Sequence, residues 1–201
     1  KFSTSSLKSL DEPLDGCANI SLDKSKLHVG KYINRIGMLG SVKTNGRDVI
    51  PSPYTTGLLD KFLDGTFVPA FETSRGCPFL CAFCDQGLDA SKITTFSSER
   101  LNEELLYVAK KIANKKNFTQ AISIFDSNWG MYEKDVELAD GILEIMNEYD
   151  WPKYIECLTP KSNRENILKI NDKLKNRVAL QLSMQSMNLD VLETVKRKNW
   201  T

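Results

Sequence analysis

The chain has 201 residues, 41% hydrophobic and 26% charged, the composition of an ordinary globular protein with apolar material for one sizeable core rather than of a disordered chain. Its 27 Lys and Arg against 26 Asp and Glu leave a formal net charge of +1, so no global field draws it to nucleic acid or to an anionic membrane. No run approaches the ~18 apolar residues of a membrane span, and the polar start KFSTSSLKSLDEPLDG lacks the apolar stretch of a signal peptide; the expectation is a cytoplasmic protein.

The chain starts at Lys1 and stops at Thr201, directly after Val195-Lys-Arg-Lys-Asn-Trp200, and both ends read as cut from a longer polypeptide. Residues 1–65 show little periodicity and many breakers, among them Pro13, Gly16, Gly30, Gly37, Gly40, Asn45-Gly46, Pro51, Pro53, Gly57 and Gly65. They read as an irregular linker or wrapping segment with one short helix at Leu58 to Leu63. Residues 66–201 form a second unit in which strand-like and helix-like blocks alternate.

The first block, Thr66-Phe-Val-Pro-Ala-Phe-Glu-Thr73, is short and β-rich and runs into Arg75-Gly-Cys-Pro-Phe-Leu-Cys-Ala-Phe-Cys-Asp-Gln-Gly87. Ser97 or Ser98 then caps a helix with Glu99 in its first turn and Leu101, Leu105, Val108 and Ile112 at helical spacing. Gln120-Ala-Ile-Ser-Ile-Phe-Asp126 reads as a buried strand, followed by a helix with Val136, Ala139, Leu143 and Met146 on one face. Tyr154-Ile-Glu-Cys-Leu158 is a third strand, and Ser162-Asn-Arg-Glu165 a capping box opening a helix through Ile167, Ile170 and Leu174. Val178-Ala-Leu-Gln-Leu-Ser183 makes a fourth strand, and Asn188 caps a fourth helix through Leu192 and Val195. Four such alternations argue for an α/β fold of parallel strands joined by right-handed crossovers. In such sheets chemistry collects at the carboxyl ends of the strands, where the cysteine loop, Asp126-Ser-Asn128, Thr159, and Ser183 with Gln185 all fall.

Three of the five cysteines lie within the eight residues from Cys77 to Cys84. In a reducing compartment clustered thiols read as a metal site before a disulfide. A structural zinc needs a fourth ligand, from Cys17, Cys157 or His28, the only histidine, and its usual pattern is two separated pairs. An electron-transfer cluster also uses four thiolates, and no fourth cysteine is adjacent. A 4Fe-4S cluster held by three thiolates leaves one iron open for a ligand, as a catalytic centre needs. Three thiols without a cofactor are the remaining alternative.

Cys77-x-x-x-Cys81-x-Phe83-Cys84, with the aromatic before the last cysteine, resembles the signature of the radical S-adenosylmethionine (SAM) superfamily, as do the flanking Arg75-Gly76 and Asp85-Gln86-Gly87. The resemblance covers residues 50–201 and four of that family's six strand-helix units. It implies a partial (β/α) barrel whose open iron binds the amino and carboxylate groups of SAM. An electron delivered by a donor such as flavodoxin or ferredoxin then cleaves the sulfonium to a 5'-deoxyadenosyl radical that attacks the substrate. Carried over position by position, it implies Cys77, Cys81 and Cys84 as cluster ligands, Phe83 with its backbone against adenine, and Gly76 and Gly87 as small residues bracketing the loop. The family's Gly-Gly-Glu after the second strand is replaced here by Asp126-Ser-Asn128, so Asp126 and Asn128 are the candidates for the SAM amine. The segment from Gln185 to Arg197 resembles one in oxygen-independent coproporphyrinogen oxidases and methylthiotransferases whose Gln and Arg contact SAM, which adds Ser183, Gln185 and Arg197 to the cofactor-binding set. Arg197 also reads as a solvated residue near a helix end. Ile50-Pro-Ser-Pro-Tyr-Thr-Thr-Gly57 resembles the linker that follows a cobalamin-binding domain, which implies cobalamin and a radical methylation. The alternatives are a methylthiotransferase-like or oxidative radical SAM enzyme without cobalamin, and a non-catalytic zinc module.

Overall fold

The computed structural model describes residues 18–21, 23–29, 51–84, 86, 93–113, 115 and 119–199. Cys17, Asp85, Gly87, Trp200 and the Gly30 to Gly46 stretch lie outside the described residues. Within the N-terminal segment β1 (Ala18–Ile20) and β2 (Leu27–Val29) form an antiparallel hairpin that the sequence reading did not anticipate. Its turn is held by Asp23, whose carboxylate accepts from Ser21 Oγ at 2.6 Å and from Ser25 N at 3.0 Å. The short helix expected at Leu58 to Leu63 is a single 3-10 turn, Asp60–Phe62.

The strand-helix unit centres on four parallel strands in chain order: β3 (Ala70–Phe71), β6 (Ala121–Ile124), β7 (Tyr154–Leu158) and β8 (Val178–Gln181). Each pairs with the next, Phe71 opposite Ile124, Ile124 opposite Cys157, and Cys157 opposite Leu180. The first strand is far shorter than the expected 66–73: residues 66–69 precede it, and beyond Phe71 the chain turns away to build a separate ladder. There β4 (Ser74–Arg75) pairs antiparallel with β5 (Thr94–Thr95). Strands of two residues carry no periodic signal, so this pair was invisible in the sequence.

Three long helices return over one face: α1 (Ser98–Ile112), α2 (Glu133–Tyr149) and α3 (Arg164–Lys173), with α1 packed on α2 and α2 on α3. Ile122, Ile124, Ile155 and Cys157 point from the sheet toward Leu105, Val108, Ile112, Ile142, Ile167 and Ile170, and these residues form the core. Ser97 caps α1 as expected, its hydroxyl accepting from Arg100 N at 3.3 Å. The buried stripe of α2 is rotated from the expected one: Leu138, Ala139, Ile142, Ile145 and Met146 face the core, and Val136 and Leu143 only flank it. The capping box expected at Ser162 to Glu165 is not formed. Asn163 occupies the N-cap of α3 in left-handed backbone (φ 57°) with no capping bond, because its amide donates instead to the Met131 carbonyl at 2.8 Å. Asn188 does cap the short α4 (Leu189–Thr194), accepting from Asp190 N at 2.8 Å and Val191 N at 3.2 Å.

The opposite face of the sheet is the inner wall of a partial barrel. It carries Tyr154, Glu156 and Leu158, with Ser123 Oγ donating to Glu156 Oε2 at 2.8 Å across the β6–β7 pair. Trp129 and Trp151 are fully buried. Behind β6 the chain leaves at Gly130, whose φ of +90° favours glycine and whose absent Cβ would sit 2.8 Å from Ile167 Cδ1. Replacing Gly130 with Ala is expected to cost about 1–3 kcal/mol, read as a lower urea midpoint with unchanged slope.

Candidate functional site

The cysteine loop leaves the sheet at the carboxyl end of β3 and returns through β5, so the β4–β5 ladder closes its base. Gly76, with φ of 105°, starts the loop in a conformation that side-chain-bearing residues rarely adopt. Cys81 is buried, and Cys77 and Cys84 are half-buried; all three are free thiols. Cys84 N donates to the Cys81 carbonyl at 3.0 Å, a tight turn that keeps the last two cysteines together. Among the described residues no three His, Cys, Asp or Glu side chains form a preformed metal cage; the fold brings together the loop that carries the thiols.

Three consecutive residues after β6 fasten that loop. Asp126, only 1% exposed, accepts from Thr73 N and Ser74 Oγ, each at 2.6 Å, and from Thr73 Oγ1. Ser127 Oγ donates to Gln86 Oε1 at 2.7 Å, beyond the last cysteine. Asn128 Nδ2 donates to Cys77 Sγ at 3.3 Å. Asn128 is buried, and its Oδ1 has no hydrogen-bond partner. Burial pushes the Asp126 carboxyl above its ordinary value, an effect opposed but not cancelled by the hydrogen bonds from Ser74 and Thr73. Burial, with the nearby Asp126 second, likewise pushes the Cys157 thiol up to about 12. Cys157 is thus a neutral strand thiol facing the helices, as its position in the third strand suggested.

A second contact set comes from later units. Ala82 N, inside the cysteine triplet, donates to the Val195 carbonyl at the end of α4 at 3.0 Å. Lys161, just past β7, places its Nζ 3.5 Å from Cys81 Sγ and 5.0 Å from the centroid of the Phe79 ring. Beside it a cavity of about 80 Å³ is lined by Ser127, Thr159, Lys161, Ser183, Arg197 and Lys198 among others, with no carboxylate in its wall.

The residues singled out from the sequence divide accordingly. Ser183 and Arg197 line the cavity. Arg197 is 6% exposed, so it is not the solvated helix-end residue of the alternative reading; its guanidinium donates to the Ser183 carbonyl, and its Nε to Asn199 Oδ1 at 3.3 Å. Asp126 and Asn128 face the cysteine loop instead. Phe83 is 53% exposed on the loop, and Gln185 is exposed and outside the cavity wall. His28 sits in the N-terminal hairpin. Lys161 was missed; the available signal was a cation two residues past Thr159, at the level where the other strands end.

A parallel strand-helix sheet in chain order, with a three-cysteine loop at the carboxyl end of its first strand, is the arrangement that the resemblance to radical SAM proteins implies. No protein-family model matches the chain. It is 33% identical over 159 residues to the 2-(S-pantetheinyl)-carbapenam-3-carboxylate methyltransferase of Streptantibioticus cattleyicolor, and 31% identical over 159 residues to the cobalamin-dependent radical SAM methyltransferase TokK of Streptomyces tokunonensis. Each match covers 74% of this chain and 22% of the relative, so the chain spans about a fifth of the length of the curated relatives it matches. Among solved structures, the cobalamin-dependent SAM radical enzyme OxsB superposes with TM-scores of 0.55, with aqua-cobalamin and SAM bound, and 0.52, with aqua-cobalamin bound. Identity is 17% and 15%, and each superposition covers 92% of this chain and 26% of OxsB. Over the matched segment the chain is thus similar to two methyltransferases, one of them named a cobalamin-dependent radical SAM methyltransferase.

Asp126→Ala is expected to leave the Thr73 and Ser74 donors without their acceptor and to cost about 1–3 kcal/mol in denaturant titrations. The raised Asp126 carboxyl binds its proton more tightly in the native than in the unfolded chain, so its stabilising contribution is full below the ordinary value of 3.8 and fades as pH rises through the native value. Asp126→Asn should flatten that part of the stability profile. Cys157 should resist iodoacetamide at pH 8 in the native protein and react on unfolding, as mass spectrometry of the alkylated peptides would read.

Proposed function

We propose that this chain is the cluster-bearing part of a cobalamin-dependent radical SAM enzyme that transfers a methyl group. The observation that carries the reading is the cysteine loop itself: three free thiols at the carboxyl end of a parallel sheet, its loop fastened by Asp126, Ser127 and Asn128. The donor set fits an iron-sulfur cluster with an open iron, since three soft sulfur donors stand on one loop and no fourth cysteine belongs to that loop among the described residues. The orphaned Asn128 Oδ1 next to Cys77 fits an ammonium donor, and the carboxylate-free cavity with Arg197 and Ser183 fits an anionic group.

In this reading Cys77, Cys81 and Cys84 hold a 4Fe-4S cluster, which supplies the one-electron cleavage of SAM. Asn128 would accept from the SAM amine, while Asp126 sets the loop's exit from β3 through Thr73 and Ser74. Arg197 holds the chain just past β8 through the Ser183 carbonyl and, lining the cavity, would pair with the cofactor carboxylate. Phe83 would offer its backbone to adenine, and Gln185, outside the cavity wall, would bond the ribose. Cobalamin belongs to the same reading through the linker at Ile50 to Gly57 and the names of the relatives. So do a flavodoxin- or ferredoxin-like electron donor and a reducing, cytoplasmic setting that keeps the thiols free. Among the described residues no helix is long and apolar enough to cross a membrane.

Replacing Cys77, Cys81 or Cys84 singly with Ala should remove most of the roughly four irons expected per anaerobically reconstituted chain, together with the reduced-state electron paramagnetic resonance signal and its response to SAM. Cys157→Ala should leave both intact. A single variant within the triplet that retained full iron and the SAM-induced spectral change would refute the assignment.

A further inference from the structure

Lys161 is a half-buried cation with an unusual neighbourhood. It follows β7, two strands away from the cysteine loop, yet its ammonium rests 5.0 Å above the Phe79 ring and 3.5 Å from Cys81 Sγ, so two residues of the triplet loop hold it. Among the described residues it has no carboxylate partner, and the adjoining cavity contributes Arg197 and Lys198 but no acid. A half-buried ammonium without a carboxylate partner favours negative charge on whatever group it faces. That group is the sulfur of Cys81, the most buried of the three.

We propose that Lys161 is a positioning residue for the cluster ligand Cys81 and sets the reduction potential of the cluster that Cys77, Cys81 and Cys84 hold. The inference rests on the cluster reading given above. Reduction adds one electron, from a low-potential donor, to the cluster and its thiolates, taking the cluster from the 2+ to the 1+ state. A fixed positive charge beside a ligand sulfur stabilises the more negative product and raises the potential, as charge and hydrogen bonds around cluster sulfurs do generally. The Phe79 ring contributes by holding the ammonium through its π face without neutralising it. Asn128 acts on Cys77 in the same sense but as a neutral dipole, so the two sulfurs receive unequal support.

The test is a spectroscopic redox titration of the anaerobically reconstituted full chain, wild type against Lys161→Met and Lys161→Arg, with iron content measured on each. Lys161→Met is expected to retain the cluster and to shift its midpoint at least tenfold in the reduction equilibrium, about 59 mV for one electron, toward harder reduction. Lys161→Arg should stay near wild type. If Lys161→Met fails to hold iron while Lys161→Arg holds it, Lys161→Gln is titrated in its place, and the same shift toward harder reduction is expected of it. Equal midpoints in wild type and Lys161→Met, or loss of iron in both variants, would overturn it and assign Lys161 to packing alone. A wild-type chain that takes up no iron would instead remove the cluster reading, and this inference with it.

Discussion

Much of the site depends on one buried carboxylate. Asp126 stands at the end of β6 and receives the backbone N–H and hydroxyl of Thr73 and the hydroxyl of Ser74, at the point where the chain stops being sheet and becomes cysteine loop. A charged group at 1% exposure is tolerable only if its lone pairs are met, and here three donors from one dipeptide meet them. Lys134 adds to the cluster from α2, its ammonium 3.3 Å from the Thr73 carbonyl and 3.2 Å from Asp135. The register of β3 against β6 and the direction in which the loop departs are therefore set by the same few bonds. Ser127 and Asn128 then act farther out along the loop, so successive side chains of one turn reach its root, its far side and a sulfur.

The three residues divide their work by direction: Asp126 turns its acid inward to the root of the loop, and Asn128 leaves an amide against the Cys77 thiol. The amide has two faces, one spent on Cys77 and one free. Small shifts of the loop would uncouple these roles, which is why the loop is tied at several points rather than at one.

The alternation of strands and helices was readable because it rests on local periodicity, and the cysteine loop because its spacing is short and chemically specific. Asn188 and Ser97 as caps were equally local. The interactions that organise the site were not readable, since Asp126 meets Thr73 across 53 positions and Lys161 meets Cys81 across 80. Arg197 shows the same limit: its place at a helix end suggested solvent as readily as a ligand, and only the fold reveals that it is buried against Ser183. The failed capping box at Ser162 had the right letters, but a tertiary hydrogen bond from Asn163 to Met131 outweighed it. The stripe on α2 was misplaced by a fraction of a turn because apolar residues occur on more than one side of that helix.

The bond from Ala82 to the carbonyl of Val195 also bears on how the protein is made. The thiols emerge from the ribosome before their fasteners, which follow at residues 126–128, 161 and 195. At ~5–20 residues per second that interval is roughly 5–20 s. During it the three thiols lack the later side chains and backbone that fasten their loop, and are open to oxidants and to soft metals alike. Order of synthesis thus leaves the cysteine loop unfastened on this side until the fourth unit supplies the Val195 carbonyl.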